Sequence, residues 1–381
     1  MWLADASFAS STLKNGYFSA LLSPDSNRIL AVSFNGALHM WKKEVDKWIQ
    51  IPAISGHFNA VNDVIWDTNS NYLISCSSDQ TTRIFTEAKE SKNHWYEIAR
   101  PQIHGYDINA IAVLPYTRND PQSAIKIISA ADEKVIRVYH CPTNFIANLS
   151  IISKIAIRRN ITEQLSAAKL VEASSIKEVQ SQPLGLMNKP INIKEDENFF
   201  DPKFDPEKIL ANKEKSQEIE EQITATVPTE EYLTNISLWP ENNKLYGHVY
   251  EVICLATHPT EPWIASASKS QKQKFSYIII WDIEKGAVIC KIFNHNLNVM
   301  CLSFSKDGKF MLSVGRDRMV AVYQRIADPA NPYALIFKKE EAHNRAIVSC
   351  SWNSESTEFV TVSKEKKAPI KIWSIVESVK D

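Results

Sequence analysis

Glycine is scarce in this chain, and that scarcity argues against the commonest nucleotide-binding folds. Only 9 of the 381 residues are glycine, whereas glycine usually makes up about 7% of a protein. Loops that cradle phosphates need glycine so that the backbone can approach the ligand closely. Neither GxGxxG nor GxxxxGK followed by Ser or Thr occurs in the sequence. The sequence therefore gives no support to a P-loop or Rossmann protein.

Paired cysteines, membrane-length apolar runs and an excess of charge are missing too. The six cysteines lie at least 11 residues apart, so the sequence has no CxxC motif of the kind that binds zinc. The cysteines are expected to be buried, reduced thiols of a cytosolic or nuclear protein. The longest apolar runs have strand length, and residues 1–14 lack the basic start and apolar core of a secretory signal. A net charge of -1 argues against a protein that coats nucleic acid or membranes, although a local patch stays open.

One pattern recurs along the chain. A histidine is followed by alternating apolar residues, a serine-rich strand, a tight acidic turn and a strand that ends in an aromatic residue. In two copies the acid follows the histidine by 22 residues and the aromatic residue follows the acid by six: His57, Asp79 and Phe85 in residues 55–85, and His295, Asp317 and Tyr323 in residues 294–323. Weaker copies span residues 16–41, 104–139, 247–281 and 342–373.

These repeats predict an almost all-β chain of propeller blades. Each unit of about 40 residues has room for four short strands, which is typical of a propeller blade, and the units resemble WD40 repeats. Six blades are clear, and a seventh is expected from residues 235–248, with Trp239 at the aromatic position and earlier strands at 183–193. The blades belong either to one seven-bladed ring or to parts of two propellers.

The middle of the chain differs in composition from both ends. Residues 1–145 hold three predicted blades, and residues 235–381 hold the end of an interrupted blade followed by three more. Residues 146–234 are charged and poor in alternating apolar residues, which predicts an insertion or junction that is disordered in part, above all at 194–228. Residues 155–180 fit either an amphipathic helix or a solvated linker.

The histidines of the repeats are expected to be structural. In blades of the WD40 kind, the imidazole is expected to bridge the carboxylate of the turn and a strand hydroxyl, which satisfies polar groups in a buried place. The residues assigned to this network are His57, Ser75, Asp79, His248, His295, Asp317 and His343. No catalytic, cofactor-binding or metal-ligating residue is predicted from them.

Several segments carry a more specific resemblance, to the Elongator subunit 2 family of double-propeller proteins. They are ARPQIHGYDINA (99–110), SAADEKVIRVYHCPTNF (129–145), PLGLMNKP (183–190) and LWPENNKLYGHVYE (238–251). The resemblance covers nearly the whole chain, although family members are about twice as long. It implies a non-catalytic scaffold that holds the catalytic and largest Elongator subunits together and so supports modification of wobble uridines in tRNA.

The same resemblance implies no cofactor, no small-molecule substrate, no membrane, and a cytoplasmic and nuclear location. Two other functions stay open: a module that binds tRNA directly, and a WD40 scaffold of another assembly.

The motif around residue 104 allows three interpretations. His104 and Asp107 could form an acid–base pair, but no nucleophile in a recognisable context accompanies them. Arg100 and Tyr106 are of the types enriched at binding hot spots, so these four residues are a candidate protein interface. A local turn in which Asp107 caps backbone amides explains the motif equally well.

A basic rim is predicted at one end of the last three repeats. Their turns at 268–276, 315–319 and 363–369 project from the same face of a propeller, and their only acids are Asp317, expected to point inward, and Glu365. The cations are Lys269, Lys272, Lys274, Arg316, Arg318, Lys364, Lys366 and Lys367. They are either solvated and idle or a surface for an acidic partner segment or the tRNA backbone.

Overall fold

Six antiparallel sheets of consecutive short strands make up the described part of the chain in a computed structural model. The structure describes residues 17–33, 36–45, 47–67, 72–88, 94–114, 125–142, 145, 148–149, 152–153, 227–235 and 237–375. For these residues, the prediction of a nearly all-β chain built from propeller-like blades is confirmed.

The first three sheets each contain four strands. The first is formed by β1 (Tyr17–Leu22), β2 (Arg28–Ser33), β3 (Leu38–Glu44) and β4 (Lys47–Ile51). The second is formed by β5 (Val61–Trp66), β6 (Leu73–Ser77), β7 (Thr81–Glu87) and β8 (Trp95–Ile103). The third is formed by β9 (Ile108–Leu114), β10 (Lys126–Ala131), β11 (Val135–His140) and β12 (Glu241–Tyr246).

The last three sheets follow after a helix of six residues, α1 (Glu230–Asn235), and β12. The fourth is formed by β13 (Val252–Thr257), β14 (Trp263–Ser268), β15 (Ile278–Asp282) and β16 (Ala287–Ile292). The fifth is formed by β17 (Val299–Phe304), β18 (Phe310–Gly315), β19 (Val320–Arg325) and β20 (Tyr333–Lys339). The sixth has three strands, β21 (Ile347–Trp352), β22 (Glu358–Ser363) and β23 (Ile370–Ser374).

The hydrophobic cores lie between neighbouring sheets. The first strands of the second to sixth sheets contact one another in order, β5 with β9, then β13, β17 and β21. A separate cluster of buried apolar side chains fills each of the four spaces between these sheets. Strand β15, with the sequence IIIWD, is buried along its whole length because it has a sheet on either side. An unbroken apolar run is the pattern that such a doubly covered strand requires.

The third sheet is the one that the insertion interrupts. Strand β12 pairs with β11 in antiparallel register, with Val135 opposite Tyr246 and Ile136 opposite Leu245. The segment expected to end a separate seventh blade therefore supplies the fourth strand of the third blade. Pairing partners more than a hundred residues apart leave no local signal in the sequence. The pairing with β12 satisfies the backbone hydrogen-bonding groups on the outer edge of β11.

The predictions for the insertion lie mostly outside the described residues. This applies to the expected strands at 183–193, to 155–180, and to all of 194–228 except its last two residues. Where the chain is described again, Leu233 of α1 is buried, and Trp239 is fully buried against Phe145, with ring centres 5.0 Å apart. Within the described ranges, no helix is long and apolar enough to cross a membrane.

Candidate functional site

His57 precedes β5, the first strand of the second sheet, and bridges β6 and the turn that follows β6. Its Nδ1 lies 2.8 Å from the carboxylate of Asp79, in the turn between β6 and β7, and its Nε2 lies 2.7 Å from the hydroxyl of Ser75 on β6. The hydroxyl of Thr81 donates a further hydrogen bond to Asp79 over 2.7 Å. The neutral imidazole with its proton on Nδ1 satisfies both contacts, since Nε2 then accepts from the serine.

Burial and hydrogen bonding act in opposite directions on this acid. Burial alone would raise the pKa of Asp79, but the hydrogen bonds from His57 and Thr81 outweigh it and hold the pKa well below its usual value. The same balance lowers the pKa of Asp317 beside His295. The turn acids are therefore charged at neutral pH and tie the histidines in place.

The fifth and sixth sheets repeat the arrangement. His295 lies 3.0 Å from Asp317 and 2.7 Å from Ser313. In the sixth sheet the acid is a glutamate.

His343 Nδ1 lies 2.5 Å from Glu365, Nε2 lies 2.8 Å from the hydroxyl of Thr361, and Trp373 donates its indole N–H to that hydroxyl. The sequence interpretation put Glu365 on the rim as a compensating charge, but its side chain is buried. The 22-residue spacing from His343 was the signal that could have shown it.

The fourth sheet has the histidine without its acid. His248 Nε2 lies 2.7 Å from the hydroxyl of Ser266, which also accepts the indole N–H of Trp281 over 2.7 Å. The position 22 residues after His248 is Ser270, whose hydroxyl donates to the carbonyl of Lys272 instead. Nδ1 of His248 is buried and has no partner among the described residues. Burial, with Lys291 nearby, lowers the pKa of His248 to about 4.

Arg100 is an internal residue and not part of an exposed interface. It is 4% exposed, and its guanidinium contacts Glu97 over 2.9 Å and Glu230 of α1 over 2.8 Å. Arg83 approaches the other oxygen of Glu97 to 3.0 Å. Alternating charges of this kind compensate one another where water is excluded. The arginine therefore anchors the chain where it returns after the insertion.

The other residues of that motif are divided between interior and surface. His104 is buried, with Nε2 3.2 Å from Glu133 and Nδ1 accepting the backbone N–H of Tyr106 over 2.9 Å. Asp107 is half-buried, and its carbonyl accepts the backbone N–H of Asp132. Only the ring of Tyr106 is largely exposed, at 52%. A His104–Asp107 acid–base pair is not formed, because His104 pairs with Glu133.

The turns that carry the rim cations are joined through the loops that precede the fifth and sixth sheets. The backbone N–H of Ser270 donates to the side-chain oxygen of Asn298. The backbone carbonyl of Asn298 accepts the N–H of Arg316. Likewise, the N–H of Ala342 donates to the carbonyl of Arg318. Asn298 thus links the turns of the fourth and fifth sheets. Ala342 belongs to the loop before the sixth sheet, and Ala346 of that loop accepts the N–H of Lys364, so the three turns form one strip.

Seven of the eight predicted rim cations are exposed. They are Lys269, Lys272, Lys274, Arg316, Lys364, Lys366 and Lys367. Arg318 is half-buried and forms an ion pair of 2.6 Å with Glu341. Because Glu365 turns inward to His343, the turn at 363–369 presents three lysines without an exposed acid.

Metal chemistry has no ligand set in the described ranges. No group of three or more His, Cys, Asp or Glu side chains there could hold a metal ion. The histidines with a turn acid have both ring nitrogens in contact with their own chain.

Sequence comparison agrees with this blade geometry. The family model "WD domain, G-beta repeat" matches residues 48–86, 239–272 and 286–324. WD40 repeats are therefore present in three stretches of this chain. The three matched ranges contain the histidines of the second, fourth and fifth sheets and the strands whose hydroxyls they contact.

The chain is also similar to longer proteins named Elongator complex protein 2. Identity is 33% with the Homo sapiens protein (96% of this chain, 44% of the relative) and 35% with that of Danio rerio (94% and 43%). The Arabidopsis thaliana relative is 33% identical over 94% of this chain and 43% of its own length. The chain thus spans less than half the length of these relatives.

Replacing His57 with alanine should destabilise the second blade. The change leaves the buried Asp79 and Ser75 without their shared partner, and an unsatisfied buried group costs about 1–3 kcal/mol. Denaturant unfolding should show this loss. A His94→Ala variant is the matched control, because His94 is exposed. Equal unfolding free energies for the two variants would contradict the structural role of His57.

A Ser270→Asp change should complete the network of the fourth blade. The new carboxylate can accept from Nδ1 of His248, and such a hydrogen bond contributes about 1 kcal/mol. Ser270→Asn is the control of similar size without charge. Unfolding free energies at pH 7 that do not separate the two variants would contradict the assignment.

The same variant should change the pH dependence of stability. The pKa of His248 is about 4 in the folded state and about 6.5 in an unfolded chain. The unfolded state therefore binds the extra proton, and stability is lost as the pH falls from about 6.5 towards 4. A carboxylate beside His248 favours the protonated ring, so Ser270→Asp should reduce this loss. Unfolding at pH 7 and pH 5 measures it.

Proposed function

We propose that this chain is a non-catalytic scaffold subunit of an Elongator assembly, in the cytoplasm and nucleus. In that assembly it would hold the catalytic and largest subunits together and so support modification of wobble uridines in tRNA. The observation that carries the proposal is similarity to Elongator complex protein 2 along 94–96% of this chain. A subunit built from propeller blades typically serves its complex as a surface on which other subunits bind.

The geometry of the blades supports a binding role. The histidines, the chain's best acid–base residues, are engaged within their own blades at distances of 2.5–3.2 Å wherever a turn acid is present. An imidazole that bridges a carboxylate and a hydroxyl has no free nitrogen for a substrate. We therefore expect other molecules to bind the exposed surface of the blades.

Direct binding of tRNA is the second candidate, and the basic rim favours it. The strip of exposed lysines and Arg316 presents positive charge with little local compensation. Phosphate backbones bind such strips through counterion release. An acidic segment of another subunit is the alternative occupant of this surface, and both would be steered to it by charge.

Affinity purification tests the scaffold proposal. The tagged chain should recover the catalytic and largest Elongator subunits in mass spectrometry, and the purified chain alone should not modify tRNA. Tyr106→Ala should reduce recovery if the exposed ring contributes to the interface. Tyr246→Ala is the control, because Tyr246 is also exposed but lies on the outer strand β12. Recovery of neither subunit, or tRNA modification by the isolated chain, would sink the proposal.

Changing Lys272, Lys274, Lys366 and Lys367 together to serine tests the rim. Folding should be unaffected, since exposed charges contribute little to stability. Affinity for tRNA, or for the acidic segment, should fall, and its salt dependence should flatten between about 50 and 200 mM salt. The control variant changes four exposed lysines elsewhere, Lys43, Lys285, Lys306 and Lys309. If the two variants bind alike, the rim has no role in binding.

A further inference from the structure

Three cysteines lie on the first strands of consecutive sheets. Cys254 is on β13, Cys301 is on β17 and Cys350 is on β21, and these strands contact one another. The Cys254 thiol lies 3.7 Å from the carbonyl of Val299, and the Cys301 thiol lies 3.7 Å from the carbonyl of Cys350. None of them belongs to a histidine network or to the basic rim, so their proximity needs its own explanation.

Cys301 and Cys350 differ in exposure and in charge. Cys301 is half-buried and Cys350 is buried, and the thiol of Cys301 contacts the backbone of Cys350. Interactions with the side chain and backbone of Cys350 lower the pKa of Cys301 to about 7 against the opposing effect of burial, with a smaller contribution from Ser349 and a weak opposing one from Asp63. Burial raises the pKa of Cys350. Near neutral pH Cys301 is therefore the more readily ionised thiol of the pair, beside a thiol that stays protonated.

We propose that Cys301 and Cys350 form a peroxide-responsive dithiol that closes into a reversible disulfide between the fifth and sixth sheets. Cys301 is the residue that reacts first, and Cys350 is the one that resolves the product. The oxidant is hydrogen peroxide, supplied from outside the protein. Intracellular disulfides of this transient kind serve redox sensing.

The chemistry balances in two steps. The Cys301 thiolate attacks one oxygen of the peroxide, the O–O bond breaks, hydroxide leaves, and Cys301 becomes a sulfenic acid. The sulfur of Cys350 then attacks the sulfur of Cys301 and the S–O bond breaks. The departing oxygen takes the proton of Cys350 and leaves as water. Both thiols are oxidised, the peroxide is reduced, and an added dithiol reverses the bond by exchange.

The position of Cys301 and Cys350 predicts the structural effect of a disulfide bond between them. Cys350 belongs to the three-stranded sixth sheet, whose last strand exposes Ile370 and Ile372 at 60% and 72%. A bond to β17 would fasten this sheet to the fifth through their first strands. Because a cross-link constrains the unfolded chain, the oxidised protein should melt at a higher temperature than the reduced one.

Cys290 supplies a matched control within the same chain. It is also half-buried, on the outer strand β16, but burial raises its pKa to about 11. It is partly exposed like Cys301 but is the less readily ionised thiol, and thiolate character governs reactivity with peroxide. Peroxide should therefore react with Cys301 in preference to Cys290.

The test is oxidation of the intact chain followed by alkylation and peptide mass spectrometry without reduction. Treatment with hydrogen peroxide near neutral pH should give one peptide pair joined through Cys301 and Cys350, which a dithiol reagent separates. Cys350→Ser should leave Cys301 as sulfenic or sulfinic acid, Cys301→Ser should abolish the joined pair, and Cys290→Ser should behave like the unchanged chain. Melting temperatures check that each variant is folded.

Three outcomes would overturn the proposal. Cys301 and Cys350 could both remain open to alkylation after peroxide treatment of folded protein. Cys301 could join to Cys254 instead, which would assign a different pair. Cys301 could also oxidise to sulfinic acid in the unchanged chain without forming a joined peptide, which would show that Cys350 does not reach it.

Discussion

The bond between a histidine and the acid of its turn is the contact on which the second, fifth and sixth blades depend. Sheets that are packed on both faces exclude water, so polar groups within them must be satisfied by the chain itself. His57, His295 and His343 do this by joining a strand hydroxyl to a turn carboxylate across 2.5–3.2 Å. Each bridge fixes the turn between the second and third strands of its blade, and those turns carry the exposed surface.

The surface chemistry follows from where the acids point. Since Asp317 and Glu365 turn inward to histidines, the lysines and arginines beside them face solvent with little compensation. The stability of the interior and the positive charge of the rim thus share one cause. A second buried charge chain, from Arg83 through Glu97 and Arg100 to Glu230, fastens α1 to the second sheet where the chain returns from the insertion.

Local patterns in the sequence were sufficient to predict the repeats and two of the histidine networks. The 22-residue spacing led from His57 to Asp79 and from His295 to Asp317 because both ends of each contact lie within one blade. The pairing of β12 with β11 was missed because it joins residues a hundred positions apart. The burial of Arg100 was missed for the same reason, since Glu230 is 130 residues away. Glu365 was missed because a glutamate stands where the other two networks have an aspartate.

Nuclear magnetic resonance of nitrogen-15-labelled histidine tests the network most directly. Long-range nitrogen–proton correlations at neutral pH distinguish a ring with its proton on Nδ1 from one with its proton on Nε2. His57, His295 and His343 should each show a single fixed form with the proton on Nδ1, and Asp79→Asn should change the signals of His57 alone. Rings that average rapidly between both forms, or a change spread over all three, would contradict the network as the contact that holds these three blades.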